Sequence, residues 1–116
     1  MELGTSYNAL NVKDIRAAWS FYKHLGFEPV TDGGSVEEKW LILKNGNVKI
    51  GLFEGMFPRN IMTINPPDVR SVYYILKAQK ADFLFASKNI DESVGKCSFM
   101  VRDPDGNPIL FDQLND

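Results

Sequence analysis

Few side chains in this chain could carry out nucleophilic or acid–base chemistry. The sequence contains one histidine, His24, and one cysteine, Cys97. No histidine or second cysteine stands near Cys97 in the sequence to activate its thiol, so we expect a small buried hydrophobic residue in a strand. His24 lies just before Leu25-Gly26, at the end of a predicted helix, where the helix dipole favours a solvated cation. Neither Ser–His nor Cys–His catalysis is therefore indicated.

The acidic side chains also indicate no catalytic site. The carboxylates nearest to the predicted binding strands are Glu54 and Asp112. Asp112 continues the strand face of Leu110, which predicts a solvated position at the rim of a pocket. General acid–base catalysis by paired carboxylates needs two groups in opposed environments, and no such pair is evident. We therefore assign no catalytic residue from the sequence.

The elements that position these residues occur twice. When the sequence is shifted by 54 residues, Asn11, Asp14, Arg16 and Lys23 fall on Asn65, Asp68, Arg70 and Lys77. The apolar positions between them match in kind. Further along each half, an apolar run follows Asn45-Gly46-Asn47 and again follows Asp105-Gly106-Asn107. A period near half the chain length indicates two copies of one unit, because a solenoid needs about three repeats or more.

Each half follows the order strand, helix and three strands. In the first half, alternation predicts a strand over 6–12, and Asp14 is placed to cap a helix over 14–25. Asp32-Gly33-Gly34 indicates a turn after a short strand, and Asn45-Gly46 indicates a hairpin. In the second half, Asp68 is placed to cap a helix over 68–79. The fold class is therefore α+β with two βαβββ modules, at about 4–54 and 60–113, in a single domain spanning 1–116.

Composition and charge disfavour several classes of partner and indicate a compartment. The chain has 116 residues and a formal net charge of -2, which favours neither nucleic acid nor an anionic membrane. No apolar run approaches the roughly 20 residues that span a bilayer. The first residues, Met1-Glu2-Leu3-Gly4, lack the basic region and apolar stretch of a secretory signal. A single cysteine suits a reducing compartment, so we expect a cytoplasmic protein.

Two motifs resemble a known family. Asn11-Val12-Lys13-Asp14, followed by Phe21-Tyr22 and Leu25-Gly26-Phe27, is similar to the opening of the vicinal oxygen chelate superfamily. Arg102-Asp103-Pro104-Asp105-Gly106-Asn107 resembles its closing hairpin. That superfamily includes glyoxalase I, extradiol dioxygenases and the fosfomycin- and bleomycin-resistance proteins. The resemblance implies an open cup-shaped mixed sheet, with the ligand in the cup and the helices outside.

The same resemblance locates a metal site that this chain does not support. Enzymes of the superfamily hold a divalent metal with His, Glu or Gln side chains from several strands. The corresponding positions here are Tyr7, Gly51, Ile61 (or Asn60, one residue earlier) and Leu110. Gly, Ile and Leu have no side-chain donor, and neutral Tyr is a poor ligand for such metals. We therefore expect no metal and no cofactor, and metal-dependent glyoxalase or dioxygenase activity is argued against.

Strand alternation predicts which side chains line the cup. The expected pocket is apolar and aromatic with a few polar groups, as small-molecule sites generally are. The predicted ligand-binding residues are Tyr7, Asn11, Trp40, Gly51, Phe53, Ile61, Thr63, Met100, Arg102 and Leu110.

Several of these residues allow two interpretations. Trp40 and Phe53 either line a ligand site or fill the cup as core. Gly51 either leaves volume for a ligand or marks a bulge or a close approach to the backbone. Arg102 either binds an anion or pairs with Asp103 or Asp105.

These observations favour a metal-free small-molecule-binding protein that takes an apolar or aromatic ligand. The alternatives are a metal-independent lyase or isomerase of the same fold, and a structural or regulatory module whose cup is closed. We also expect a homodimer. Members of the superfamily whose chain consists of one pair of modules usually associate, and the predicted sheets leave edges and apolar surface uncovered.

Overall fold

The computed structural model describes residues 1–114, which form eight strands and two helices. The elements are β1 (Thr5–Val12), α1 (Ile15–Lys23), β2 (Glu28–Ser35), β3 (Trp40–Asn45), β4 (Val48–Glu54), β5 (Ile61–Asn65), α2 (Val69–Ala78), β6 (Asp82–Ala86), β7 (Ser98–Arg102) and β8 (Pro108–Asp112). This order confirms the α+β class and the repeated βαβββ pattern. Neither helix is long and apolar enough to cross a membrane.

The chain divides into two compact units. The first unit comprises Tyr7–Ile61, and the second unit comprises Met1–Ser6 together with the residues from Met62 onward. In the first unit the strand order is β2-β3-β4-β1. Strands β1 and β4 are parallel, whereas β4–β3 and β3–β2 are antiparallel. Helix α1 covers one face of this sheet, and the core between them contains Ile15, Leu41, Leu43, Ile50 and Leu52, with Leu10 and Val12 packed against it.

The second unit repeats this plan with the strand order β5-β8-β7-β6. Its parallel pair is β5–β8, and its antiparallel pairs are β8–β7 and β7–β6. Helix α2 again covers one face. The core on that face is richer in aromatic rings and contains Val69, Val72, Tyr73, Ile90, Cys97, Phe99, Val101 and Phe111.

The two predicted helix caps are confirmed. The Asp14 carboxylate accepts hydrogen bonds from the backbone N–H groups of Arg16 and Ala17 at 3.1 and 3.2 Å. Asp68 accepts one from the N–H of Ser71 at 3.3 Å. Each side chain thus satisfies helix donors that have no partner within the helix.

A second cap, absent from the sequence expectations, also occurs in both units. The N–H of Ile15, the first residue of α1, donates to Glu54 Oε1 at 3.0 Å. The N–H of Val69, the first residue of α2, donates to Gln113 Oε1 at 3.0 Å. The last residue of β4 and the residue directly after β8 therefore fix the start of each unit's helix.

One predicted element is wrong. The turn expected at Asp32-Gly33-Gly34 lies inside β2, which continues to Ser35. Asp32 and Gly34 have positive φ angles of 58° and 83°, and the pairing with β3 shifts register between Pro29 and Gly34. The turn-forming residues create an irregularity in the strand because pairing with β3 resumes beyond them.

Candidate functional site

The face of the first unit's sheet opposite α1 carries an aromatic stripe, formed by Tyr7, Phe53 and Trp40. The rings of Tyr7 and Phe53 lie 6.5 Å apart between centroids and 13° from parallel. Those of Phe53 and Trp40 lie 6.4 Å apart and 14° from parallel. Phe57 meets Phe53 edge-on at 5.1 Å. The structure thus brings together three of the aromatic residues predicted to line the cup.

Strand register arranges this face in three rows. Because directly opposite residues share a sheet face, the rows can be read across β1, β4 and β3. The first row is Asn11, Phe53 and Trp40, and the second is Ala9, Gly51 and Ile42. In the third row, Lys49 lies opposite Lys44, with Tyr7 preceding the paired stretch of β1 on the same face. Asn11 therefore belongs to the predicted face, although it is exposed.

The volume expected beside Gly51 is absent. A Cβ atom at Gly51 would lie 2.6 Å from the Phe53 ring, 2.8 Å from the Tyr7 ring and 2.9 Å from the Ile42 side chain. Such distances are shorter than real Cβ contacts. The expectation that glycine leaves space for a ligand is therefore wrong, and its alternative, close approach of other groups, is the one observed.

Exposure differs along the stripe. Tyr7 and Phe53 are buried, with 7% and 8% of their surfaces accessible. Trp40 and Phe57 are partly exposed. The accessible aromatic surface of the first unit is therefore at the Trp40 end. Ile61, the remaining predicted residue of this unit, is buried at the start of β5.

Sequence reasoning missed two lysines on this face. Lys49 places its Nζ 5.4 Å from the centroid of the Tyr7 ring and is partly buried. Burial, and secondarily the positive charge of Lys44, lower the pKa of Lys49 below the usual lysine value. The alternation that selected Gly51 and Phe53 also selects Lys49, so the signal was present in the strand.

The corresponding face of the second unit is more polar. Thr63, Leu110 and Met100 lie opposite one another across β5, β8 and β7, as the prediction required. Thr63 is fully buried, and its Oγ1 has no hydrogen-bond partner among the described residues. The same holds for Oδ1 of Asn65, whose Nδ2 donates to the carbonyl of Asp112 at 2.9 Å. Buried polar atoms without partners are uncommon and mark positions where a ligand or water can bind.

Asp112 is not the solvated carboxylate that its predicted rim position suggested. It lies opposite Ser98 and is partly buried. Burial raises the pKa of Asp112, and the opposing influence of Lys96 is smaller. The carboxyl group thus keeps its proton to higher pH than a solvated aspartate does.

Arg102 is already paired. Its Nη1 donates to Asp82 Oδ2 at 3.2 Å, so both pairings considered from the sequence, with Asp103 or Asp105, are wrong. Asp103 instead accepts hydrogen bonds from Asp105 and Asn107 within the turn, and these bonds lower its pKa. A cavity of about 560 Å³ adjoins Arg102, and Leu76, Lys80 and Phe111 also line it.

The residues at the family's metal positions do not fit a divalent metal. Tyr7 and Gly51 lie on the stripe side of the first unit, and Leu110 lies between Thr63 and Met100 in the second. Of Tyr7, Gly51, Ile61 and Leu110, only Tyr7 carries a side-chain oxygen. Within residues 1–114, no group of three or more His, Cys, Asp or Glu side chains is placed to hold a metal ion.

The single histidine and cysteine occupy structural positions. His24 is exposed at the C-terminus of α1, and its Nδ1 lies 2.6 Å from the carbonyl oxygen of Ser20. Cys97 is buried just before β7 rather than within a strand. Burial raises the pKa of the Cys97 thiol, which keeps it protonated and unreactive.

Comparison with solved structures identifies the fold. The chain is similar to a glyoxalase/bleomycin resistance protein/dioxygenase superfamily member from Vibrio splendidus, at 22% identity and a TM-score of 0.66, over 93% of this chain and 97% of that one. It is similar to methylmalonyl-CoA epimerase from Mycobacterium tuberculosis, at 14% identity and a TM-score of 0.65, over 97% and 87% of the two chains. A variant of homoprotocatechuate 2,3-dioxygenase from Brevibacterium fuscum matches at 20% identity and a TM-score of 0.64, over 99% of this chain and 33% of that one.

These similarities establish the vicinal oxygen chelate fold that the sequence motifs resemble. No protein-family model matches the sequence, and no curated protein matches it significantly. The chemistry must therefore be argued from this chain's own residues.

Proposed function

We propose that this protein binds a small apolar or aromatic molecule without a metal, at the accessible end of the aromatic stripe. The observation that carries this proposal is the near-parallel alignment of three rings on one sheet face, ending in the partly exposed Trp40. The accessible ring at the end of this row can stack against a planar ligand. The neighbouring Phe57, also partly exposed, adds an edge against which a ligand can pack.

The two tryptophans allow a direct test. Trp19 packs against the α1 core, on the other side of the first unit's sheet from Trp40. Naphthylmethanol is titrated into isotopically labelled protein, and the two indole N–H resonances are assigned with Trp19→Phe and Trp40→Phe. We expect the Trp40 resonance to shift and saturate while that of Trp19 stays in place, with a rise in melting temperature.

Unchanged spectra and an unchanged melting temperature would reject the binding proposal. If naphthylmethanol and other one- and two-ring probes leave both resonances and the melting temperature unchanged, the stripe is closed core and the binding proposal fails. A structural or regulatory module, or the enzyme described next, would then remain as the alternatives.

A second candidate function is a metal-independent lyase or isomerase, favoured by the polar face of the second unit. Asp112 has a raised pKa, and the unpartnered Oγ1 of Thr63 and Oδ1 of Asn65 lie on the strand beside β8. A carboxyl group in such surroundings is suited to hold and transfer a proton.

Proton transfer is measured by deuterium incorporation from D₂O at the carbon next to the keto group of phenylpyruvate. The enzyme candidate predicts exchange above the uncatalysed rate, its loss in Asp112→Asn, and its retention in the exposed control Glu92→Gln. Exchange at the uncatalysed rate in the wild-type protein rejects this candidate for such ketones.

We further propose a homodimer. In the second unit, β6 is the last strand of its sheet order and pairs with β7 alone, while its Leu84 and Phe85 are exposed. An unpaired apolar edge favours association with another strand. Light scattering is expected to give twice the chain mass, and a monomer mass at tens of micromolar protein rejects the dimer.

A further inference from the structure

We propose that Lys49 and Lys44 form an anion-binding site beside the aromatic stripe, so that the ligand is an elongated aromatic molecule carrying a carboxylate. This inference rests on the proposed binding function and specifies its ligand class. The apolar body would lie at the Trp40 end of the face and the acid group at the lysine end.

The register brings the two cations together. Lys44 and Lys49 are directly opposite across β3 and β4, so their side chains leave the same sheet face. It is the face of the stripe, since Gly51 and Phe53 follow Lys49 at alternate positions of β4. Lys49 Nζ lies 5.4 Å from the Tyr7 ring centroid, which ties the cationic end to the aromatic one.

Neither lysine of this pair forms an ion pair within the described chain. The three ion pairs of the described residues are Arg16–Glu37, Lys39–Glu54 and Arg102–Asp82, and none includes either lysine. Like charges directly opposite each other destabilise a strand pair. The lowered pKa of Lys49, caused first by burial and then by Lys44, reflects the same unfavourable surroundings. A bound carboxylate would relieve this repulsion.

The second unit supplies an internal contrast. Arg102 occupies in β7 the place that Lys44 occupies in β3, and Asp82 lies opposite it as Glu28 lies opposite Lys44. Arg102 and Asp82 form an ion pair at 3.2 Å, whereas Glu28 and Lys44 form none. The same backbone position is thus neutralised in one unit and left available in the other.

The spacing of the two ends sets the ligand's length. Trp40 and Lys44 are four residues apart on one strand, which corresponds to about 13 Å along the sheet. The flexible four-carbon stem of each lysine can reach back along the sheet. The distance left between Trp40 and the lysine ammonium groups is then about the length of a two-ring acid. The row between them holds Ala9, Gly51 and Ile42, which contribute no charge.

The test compares naphthoate with naphthylmethanol, which share the two-ring body and differ in charge. Calorimetry of the wild-type protein is expected to show naphthoate binding about tenfold more tightly, as a hydrogen bond to a charged group allows. Added salt should reduce this preference. Lys49→Gln should abolish this preference, measured as the ratio of the two affinities, and Lys49→Arg should keep it.

Lys88→Gln serves as the matched control, because it removes one exposed lysine of the second unit and leaves both lysines of the site in place. The Lys88→Gln variant should prefer naphthoate over naphthylmethanol to the same degree as the wild-type protein. If both probes bind with equal affinity, or Lys49→Gln retains the preference, the anion site is rejected and the binding proposal stands. If neither probe binds, the proposed function itself is overturned, and this inference with it.

Discussion

The two units share a backbone plan and differ in the chemistry of one sheet face. In each unit an aspartate caps the helix. The first N–H of the helix also donates to a second side chain, which is Glu54 at the end of β4 in the first unit and Gln113 directly after β8 in the second. On the face opposite the helix the correspondence of side chains is only partial: Lys44 and Arg102 are both basic, but other positions differ in kind. Phe53 of the first unit corresponds to Asp112 of the second, and Trp40 corresponds to Ser98.

This difference shows where the repeated pattern constrains the sequence and where it does not. The helix-side core and the caps must be kept for each unit to fold. The residues of the opposite face differ between the units, forming an aromatic stripe with two lysines in the first and a polar patch with a carboxyl group in the second. Function should therefore be sought on those faces, and the following variants test each part of the contrast.

The largest effect is expected from Gly51→Leu, which gives the first unit the residue that Leu110 provides in the second. Three side chains already lie within 3 Å of the position of the missing Cβ. Displacing them should cost about 3 kcal/mol of unfolding free energy, at the upper end of overpacking effects. Urea denaturation measures this loss, with Lys88→Leu as the exposed control. An unchanged midpoint would mean that the rings swing away and that the face opens readily.

A smaller effect is expected from removing the second caps. Gln113→Ala leaves the N–H of Val69 without its partner at a buried site and should cost about 2 kcal/mol. Glu54→Ala exposes the N–H of Ile15 at a less buried site and should cost about 1 kcal/mol. Glu54→Gln keeps the acceptor and should recover most of that loss. Equal losses for the two alanine variants would contradict the difference in burial.

The polar face of the second unit predicts a pH dependence that the aromatic face does not. The folded-state pKa of Asp112 is raised above its ordinary value of 3.8, so ionisation is disfavoured in the folded protein. This cost is absent below the unfolded pKa, grows as pH rises from the unfolded to the folded pKa and is complete above the folded pKa. Asp112→Asn should therefore be more stable than the wild type at pH 7, and the difference should vanish near pH 3. A constant difference across this range would exclude the raised pKa as its cause.

The sequence predicted the parts of this fold that depend on near neighbours. Asp14 and Asp68 cap donors within three residues, and Asn45-Gly46 closes a hairpin between adjacent strands. The caps from Glu54 and Gln113 were missed because they bridge 39 and 44 residues. The irregular β2 was missed because its turn signals are local, whereas the pairing with β3 that extends it is not.

The candidate site was predicted as a set of positions rather than as an environment. Alternation placed Trp40, Phe53 and Gly51 on one face, as observed. It could not show that the rings fill the space beside Gly51, since that depends on side-chain rotamers. The pairing of Arg102 with Asp82 was likewise hidden, because it requires the register of β6 against β7.

The smallest effect concerns a residue shortly after each helix, Gly26 three residues beyond α1 and Lys80 two residues beyond α2. Gly26 and Lys80 both have positive φ angles, 90° and 59°, and each precedes an N–H that donates back into its helix, Phe27 to Tyr22 and Ala81 to Leu76. Glycine adopts this conformation freely, whereas a side chain is penalised there by about 1–2 kcal/mol. Replacing the side chain by glycine removes this penalty, but part of the stabilisation is lost because glycine also makes the unfolded chain more flexible. Lys80→Gly should therefore stabilise the protein by about 0.5–1 kcal/mol in thermal denaturation. Lys77→Gly, within α2, should destabilise it by a similar amount, and stabilisation by both variants would contradict the assignment of strain to Lys80.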